Sequence, residues 1–321
     1  MVMRSIEICA GAGGQALGLE QAGFHHVALV EIDKLACETL RNNRPKWNVI
    51  EGDVQTFSAK NYINIDLLAG GVPCPPFSIA GKQLGQKDER DLFPEALRLV
   101  EECKPKAVML ENVRGLFSQK FDHYRQHIVD KLEFLGYRCY WELIEANHYG
   151  VPQKRSRTVL VALKEEYADH FVWPLGVMAP PPTVGQLLLS EMKSNGWTAA
   201  ETWATGAESI APTIVGGSKK HGGPDLGPTR ARQAWDILGV DGRGIADTPP
   251  TAEFTGKPKL TVKMVGLLQG FPADWLFAGK KTASYKQVGN AFPPPVARAI
   301  GTAIRSALEE GQQADREKET G

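Results

Sequence analysis

The first half of the chain alternates short apolar runs of β-favouring residues with segments of helical periodicity. The predicted strands are 5–10, 27–31, 65–69, 107–111, 137–145 and 158–163, and the predicted helices are 15–22, 34–42, 92–103 and 122–135. Alternation of this kind predicts an α/β fold, a parallel sheet covered by helices on both faces. Ligands of such sheets bind beyond the carboxyl ends of the strands.

Several chemically distinctive residues stand at those strand ends. The turn ICAGAGG (8–14) follows the first strand and opens a helix, a place where a ligand can approach the backbone, although a plain tight turn explains it about as well. Glu31 closes the second strand, where it could accept hydrogen bonds from a ribose or be a solvated strand end. Asp53 could accept a hydrogen bond from an adenine amino group or cap a turn.

The stretch GGVPCPPFS (70–78) follows a buried strand and sets Cys74 between Pro73 and Pro75. Proline fixes φ near −65° and has no backbone N–H, so the loop has few conformations and directs its thiol one way. Such a thiol could be a nucleophile. It could also be a small apolar filler, because free cysteine is among the most buried residue types.

Two further motifs carry charged groups. Glu111 ends the strand VMLENV, where its carboxylate could face the same crevice as Cys74 or cap a helix. QKRSR (153–157) sets Arg155 and Arg157 on one side of an extended segment. Two guanidiniums that face one way suit a carbonyl oxygen or a phosphate, while the alternative is an edge strand guarded by charge.

Composition narrows the class of protein. The chain has 321 residues, with 37 Lys plus Arg against 37 Asp plus Glu, so no overall basic charge indicates nucleic acid. A local exception is the segment 257–286, where six lysines and one acid give a net charge of +5. The five cysteines are scattered without metal-ligand spacing, so no metal site is predicted.

The alternation of predicted strands and helices ends near residue 175. Residues 1–175 are predicted to form one domain, and 176–280, rich in Gly, Pro and Thr with tryptophan anchors, a smaller loop-rich domain. An amphipathic helix at 296–308 indicates that the segment 281–310 returns to the first domain, and 311–321 is predicted to be a frayed acidic tail.

The order of these motifs along the chain resembles the DNA (cytosine-5) methyltransferase family, of the bacterial restriction–modification type. The motifs are GGVPCPPFS (70–78), ENV (111–113), QKRSR (153–157), LLQGFP (267–272) and QVGNAFPPPV (287–296). The resemblance runs from Ile6 to about Ala303, except for 175–255. It implies a Rossmann-like S-adenosylmethionine-dependent methyltransferase sheet and a smaller target-recognition domain.

The resemblance also implies a reaction. Cys74 would add to carbon 6 of a cytosine flipped out of duplex DNA, which makes carbon 5 nucleophilic toward the methyl group of S-adenosylmethionine. Glu111 would hold or donate a proton at ring nitrogen 3. Arg157, supported by Arg155, would bind oxygen 2, where a fixed cation stabilises developing charge.

Two sets of binding residues follow from the same resemblance. The cofactor would contact Cys9, Ala10, Gly11, Gly13, Gly14, Glu31, Ile32, Asp53, Val54, Pro73, Leu92, Asn290 and Ala291. DNA would contact Ser78, Lys82, Gln83, Thr213, Lys219, Lys220, Arg230 and Arg232, and the lysine-rich segment 257–286 would grip phosphates. The chain departs from the family at Cys9 and Ile32, where aromatic residues are common.

The first alternative is a transfer-RNA cytosine-5 methyltransferase of the same architecture. Its recognition domain is usually short, whereas about 80 residues separate QKRSR from LLQGFP here beyond the last core strand, which favours DNA. A silent DNA-binding relative would lack the nucleophile or the acid, and a nicotinamide enzyme explains neither the Pro-Cys loop nor the paired arginines.

The expected partners are double-stranded DNA and a functionally linked restriction endonuclease that makes no direct contact. The chain shows neither a signal peptide nor a run of membrane-spanning length, so we expect it in the cytoplasm. When bound to DNA it would be associated with the bacterial nucleoid. We expect it to be a monomer.

Overall fold

The computed structural model describes residues 2–73, 91–216 and 224–320. Within these ranges seven strands form one sheet in the order β3-β2-β1-β4-β5-β7-β6. The strands are β1 (Met3–Ile8), β2 (Phe24–Glu31), β3 (Val49–Glu51), β4 (Leu67–Gly70), β5 (Ala107–Val113), β6 (Tyr137–Glu145) and β7 (Ser156–Lys164). The α/β class is confirmed, and β3 is a strand that the sequence pattern did not indicate.

The sheet is mixed, which corrects the prediction of a parallel one. The strands β3, β2, β1, β4 and β5 pair in parallel, whereas β7 lies antiparallel between β5 and β6. The connection from β6 to β7 holds only a short 3₁₀ turn (Ala146–Tyr149), and a parallel return needs a crossover of a dozen residues or more. The chain therefore turns back on itself at this point.

Helices cover both faces of the sheet. On one side α1 (Gly14–Gln21), α5 (Glu165–Ala168) and α11 (Pro294–Thr320) contribute to a shared core, and on the other α3 (Phe93–Cys103) and α4 (Asp122–Phe134) do so. Another helix, α2 (Lys34–Asn43), packs through Leu40 against Leu29. All four residues of β4 are buried, as expected for a strand covered on both faces.

The predicted recognition region, which is taken from here as residues 176–290, contains more helix than its sequence predicted. Its described part contains α6 (Val184–Lys193), α7 (Ala200–Gly206), α8 (Thr229–Ile237), α9 (Val262–Leu268) and α10 (Lys281–Asn290), around a core that includes Trp197 and Trp235. Because these helices are short, the Gly, Pro and Thr residues of the loops between the helices dominated the sequence pattern. The helix α6 begins with a capping box from Thr183 and Gln186. Tyr285 and Val288 of α10 belong to this core, beyond the predicted boundary at 280.

The last helix, α11, is longer than predicted. It runs from Pro294 to Thr320, so the segment 311–320 continues the helix instead of forming a frayed tail. Glu, Gln, Ala, Lys and Arg dominate this end of the chain, and all are good helix formers. Among the helices of the described ranges, none is both long and apolar enough to cross a bilayer.

His26 on β2 links the sheet to α1. Its Nδ1 lies 2.9 Å from Ser5 Oγ and its Nε2 lies 2.8 Å from the Ala16 carbonyl oxygen. Burial lowers the pKa of His26 to about 4, despite the favourable hydrogen bond to Ala16. The neutral ring therefore fixes the helix that follows the Gly-rich turn.

This histidine predicts an acid-dependent loss of stability. The unfolded chain takes up the proton near pH 6.5 and the folded chain only near pH 4, so the unfolding free energy decreases as pH falls through that window, by about 3 kcal/mol at its lower end. Urea unfolding of the wild type and of His26→Gln between pH 7 and pH 4 measures the difference. Equal pH slopes for the two proteins would contradict this assignment.

Candidate active site

The Gly-rich turn after β1 is held against the end of β2. Cys9 has a φ of 51° and Gly11 a φ of 54°, both in the left-handed region. The Gly11 N–H donates to Glu31 Oε2 at 2.7 Å, and the Asp33 N–H donates to Glu31 Oε1, also at 2.7 Å. One carboxylate thus fixes the turn and the start of the chain after β2.

A cavity of about 750 Å³ opens over this turn, at the carboxyl ends of β1, β2, β4 and β5. Its size is typical of pockets for small molecules and cofactors. The predicted cofactor residues that line it are Cys9, Ala10, Gly11, Gly14, Glu31, Ile32, Asp53, Val54, Pro73, Leu92, Asn290 and Ala291. The structure therefore brings together residues from both ends of the chain.

Gly13 is the exception, because it does not line this cavity. It precedes α1 with a φ of 85°, and a Cβ built there would lie 2.6 Å from Leu40 Cδ2. Glycine at this position serves close packing against α2, and its contact with the cofactor stays a prediction.

Two polar residues of the cavity, Glu7 and Gln15, were not predicted from the sequence. Both residues line the cavity, and both are buried. Within the described residues, Glu7 Oε2 and Gln15 Oε1 have no hydrogen-bond partner. Burial raises the pKa of Glu7 well above its ordinary value, against the effect of a hydrogen bond from Ala16. A charged residue inside the apolar strand run SIEI was the available sequence signal.

Cys9 also lies in the cavity, where its thiol is held protonated. Burial raises the pKa of Cys9 to about 12, and the charges of Glu31 and Asp53 act in the same direction. The thiolate is the nucleophilic form of cysteine, so Cys9 is not activated for attack.

A buried ion pair lies at the end of β5. Arg157 Nε is 2.9 Å from Glu111 Oε1, and the two side chains are only 14% and 11% exposed. Burial raises the pKa of Glu111, opposed by the charges of Arg157 and Arg155. Glu111 also lines the cavity, whereas Arg157 Nη2 has no hydrogen-bond partner among the described residues. This nitrogen can donate to a ligand.

The backbone that leads to Cys74 passes beside this pair. A Cβ built on Gly71 would lie 3.4 Å from Glu111 Oε2. The Asn112 side-chain amide donates to the Val72 carbonyl at 2.8 Å, and the Leu92 N–H donates to the Pro73 carbonyl at 3.3 Å. The chain is thus fixed up to Pro73, and Cys74, Ser78, Lys82 and Gln83 lie outside the described residues.

Arg155 lies in a network of backbone carbonyl groups. It is fully buried, and its guanidinium donates to the carbonyl oxygens of Ile214 at 2.7 Å, Gly289 at 3.0 Å and Ala291 at 2.8 Å. Three backbone partners use both terminal nitrogens of Arg155, and its Nε has no hydrogen-bond partner among the described residues. This arrangement is consistent with the supporting role expected of Arg155.

The described DNA candidates lie in the recognition region. Thr213 donates its hydroxyl to the Lys154 carbonyl, Arg230 is exposed, and Arg232 Nη2 is 3.4 Å from Thr229 Oγ1. Lys219 and Lys220 lie outside the described residues. In the segment 257–286, three of the six lysines are paired with acids: Lys257 with Asp236, Lys263 with Glu191 and Lys281 with Asp247.

Comparisons with known proteins show which family the chain resembles. The family described as C-5 cytosine-specific DNA methylase matches residues 3–306. The chain is 56% identical to the Type II methyltransferase M.NaeI of Lentzea aerocolonigenes, over 97% of this chain and 77% of that one. It is also 56% identical to the Type II methyltransferase M.NgoMIV of Neisseria gonorrhoeae, over 96% of this chain and 99% of the relative.

Among solved structures, the Entamoeba histolytica methyltransferase EhMeth superposes with a TM-score of 0.67 at 15% identity, covering 96% of this chain and 99% of that one. This likeness supports the fold. The sequence comparisons confirm the predicted family and favour DNA over transfer RNA as the substrate. The chain belongs to the C-5 cytosine-specific DNA methylase family.

Proposed function

We propose that this protein methylates carbon 5 of a flipped-out cytosine in a specific double-stranded DNA sequence, with S-adenosylmethionine as methyl donor and Cys74 as nucleophile. The observation that carries the proposal is the buried Glu111–Arg157 pair, which lies beside the backbone of Gly71 at the cavity. A carboxyl group and a guanidinium at one point match ring nitrogen 3 and oxygen 2 of cytosine.

The residues of the cavity suit S-adenosylmethionine. Glu31 has lone pairs left for ribose hydroxyls after its two backbone contacts, and Asp53 Oδ2 is left for an amino group because Oδ1 accepts from the Gln55 N–H. Space is open at Gly11 and Gly52, where a Cβ would meet nothing within 4 Å. When bound, this cofactor supplies an electrophilic methyl group.

The protein side chains would then act on the cytosine ring. The Cys74 thiol, after it loses its proton to solvent, would form a bond to carbon 6, while Glu111 supplies a proton to nitrogen 3 and Arg157 Nη2 donates to oxygen 2. Carbon 5 would then be nucleophilic toward the methyl group, with S-adenosylhomocysteine as the leaving group. Loss of the carbon-5 proton to solvent would break the bond between sulfur and carbon 6, which releases Cys74, and return of the nitrogen-3 proton to Glu111 restores the aromatic ring.

Duplex DNA hides this carbon, so the base must leave the helix, at a cost of a few kcal/mol. The predicted recognition region would supply the contacts that offset this cost, through Thr213, Arg230, Arg232 and exposed lysines such as Lys259 and Lys280. We propose that the enzyme acts as a monomer on the DNA of the nucleoid. The names of its relatives, Type II methyltransferases, support a functionally linked restriction endonuclease. We propose that the two proteins make no direct contact.

Bisulfite sequencing tests the reaction and its target together. Plasmid DNA from a methylation-free host that expresses the protein is expected to contain 5-methylcytosine at one sequence context. A host that expresses Cys74→Ser supplies the inactive control, and a host that expresses Glu142→Gln, which changes an exposed carboxylate on β6, supplies the active one. Unmodified plasmid from the wild-type host, or cytosine methylation confined to RNA, would contradict the proposal.

A further inference from the structure

The recognition segment 213–216 touches the cavity wall through glycine. A Cβ built on Gly216 would lie 2.2 Å from Asn290 Oδ1, and one built on Gly289 would lie 2.6 Å from Gly216 Cα. Contacts below 3 Å are closer than real Cβ atoms make, so no side chain fits between the two backbones. The recognition segment therefore rests directly on the end of α10.

Asn290 is one of the residues that line the cavity, and it is exposed. Its side-chain amide lies against Gly216, and within the described ranges no protein group is hydrogen-bonded to that amide. An amide with free donors and an acceptor can bind the polar groups of a ligand. Because the amide lies against Gly216 on one side, its rotamer depends on the path of the recognition segment.

A buried network fixes that path. Arg155 joins the Ile214 carbonyl to the carbonyls of Gly289 and Ala291, on either side of Asn290. The Gln153 side chain accepts from the Ile214 N–H at 2.9 Å and donates to Gln269 Oε1 at 2.6 Å. Gln269 in turn donates to the Ala291 carbonyl. Both polar groups of the Ile214 backbone are thus tied to the segment that carries Asn290.

From these contacts we infer that Gly216 and Arg155 are positioning residues for the cofactor, which they reach only through Asn290. Gly216 leaves room for the Asn290 amide at this contact, and Arg155 holds the two backbones in register. This inference rests on the proposed function in one respect, that the cavity holds S-adenosylmethionine. The inference links the recognition segment 213–216 to the affinity for the cofactor, although neither Gly216 nor Arg155 is among the residues that line the cavity.

Calorimetric binding of S-adenosylhomocysteine to the full chain without DNA tests the inference. Gly216→Ala is expected to weaken binding at least tenfold, because the added methyl displaces the Asn290 amide. Gly206→Ala is the matched control in the same region, since a Cβ there meets nothing within 4 Å. Binding by Gly216→Ala as tight as that of the wild type would overturn the inference.

A double-mutant cycle separates positioning from general damage. Asn290→Ala alone weakens binding, and adding Gly216→Ala is expected to change nothing more, because the clashing amide is gone. Should Gly216→Ala fail to fold alone, recovery of folding in the Asn290→Ala background supports the same contact. Additive losses, or misfolding in both backgrounds, would overturn it. A wild-type chain that binds no S-adenosylhomocysteine would instead contradict the proposed function and, with it, the inference.

Discussion

Replacing Cys74 by serine is expected to abolish methyl transfer while leaving duplex binding measurable. A serine hydroxyl is ionised far less readily than a thiol, so it adds poorly to carbon 6 of cytosine. The charged residues proposed to hold the DNA phosphates do not include Cys74. The change therefore separates the chemical step from binding, and transfer of a labelled methyl group measured beside a gel-shift titration reports both.

Trapping tests the covalent step directly. Duplex DNA with 5-fluorocytosine at the target position is expected to form a denaturant-resistant conjugate with the wild type, because fluorine cannot leave carbon 5 as a proton does. Cys74→Ser should form none. Cys139→Ser is the matched control, since Cys139 lies on β6 away from the residues that line the cavity and burial raises the pKa of its thiol to about 12. A conjugate with Cys74→Ser would remove Cys74 from the mechanism, whereas Cys139→Ser should form the conjugate as the wild type does.

Sequence patterns anticipated the cavity because its parts are local. The candidates at 9–14, Glu31 and Pro73 end or follow strands that the sequence pattern indicated, and the carboxyl ends of neighbouring parallel strands meet at one edge of a sheet. Glu31 and Asp53, 22 positions apart, both line the cavity, although β3, the strand before Asp53, was not indicated by the pattern. Asn290 was found through the family motif, because no periodicity links α10 to β1.

Long-range contacts were not predictable in the same way. Alternation along QKRSR indicates which residues share a side, but not which distant groups meet them. Arg155 and Arg157 share a side in the sequence pattern, yet Arg155 binds carbonyls up to 136 positions away while Arg157 pairs with Glu111. The antiparallel β7 was missed for a related reason, since strand direction depends on the connection and not on the strand.

Glu111→Gln is expected to reduce turnover by roughly 100- to 10,000-fold, the range for loss of a general acid or base. Glutamine keeps the size of the side chain and an oxygen that accepts from Arg157 Nε, so the buried guanidinium retains a hydrogen bond. It has no carboxyl proton to give to nitrogen 3. Single-turnover methyl transfer at saturating cofactor measures the loss, and thermal unfolding shows whether the fold survives.

The pH profile distinguishes this role from a structural one. Burial raises the pKa of Glu111, and the protonated carboxyl is the form that donates, so wild-type turnover should fall as pH rises through that pKa. The residual turnover of Glu111→Gln should lack this basic limb, while Glu142→Gln, exposed on β6, should keep it. A basic limb of the same midpoint in Glu111→Gln would assign the titration to another group and leave Glu111 only its ion pair with Arg157.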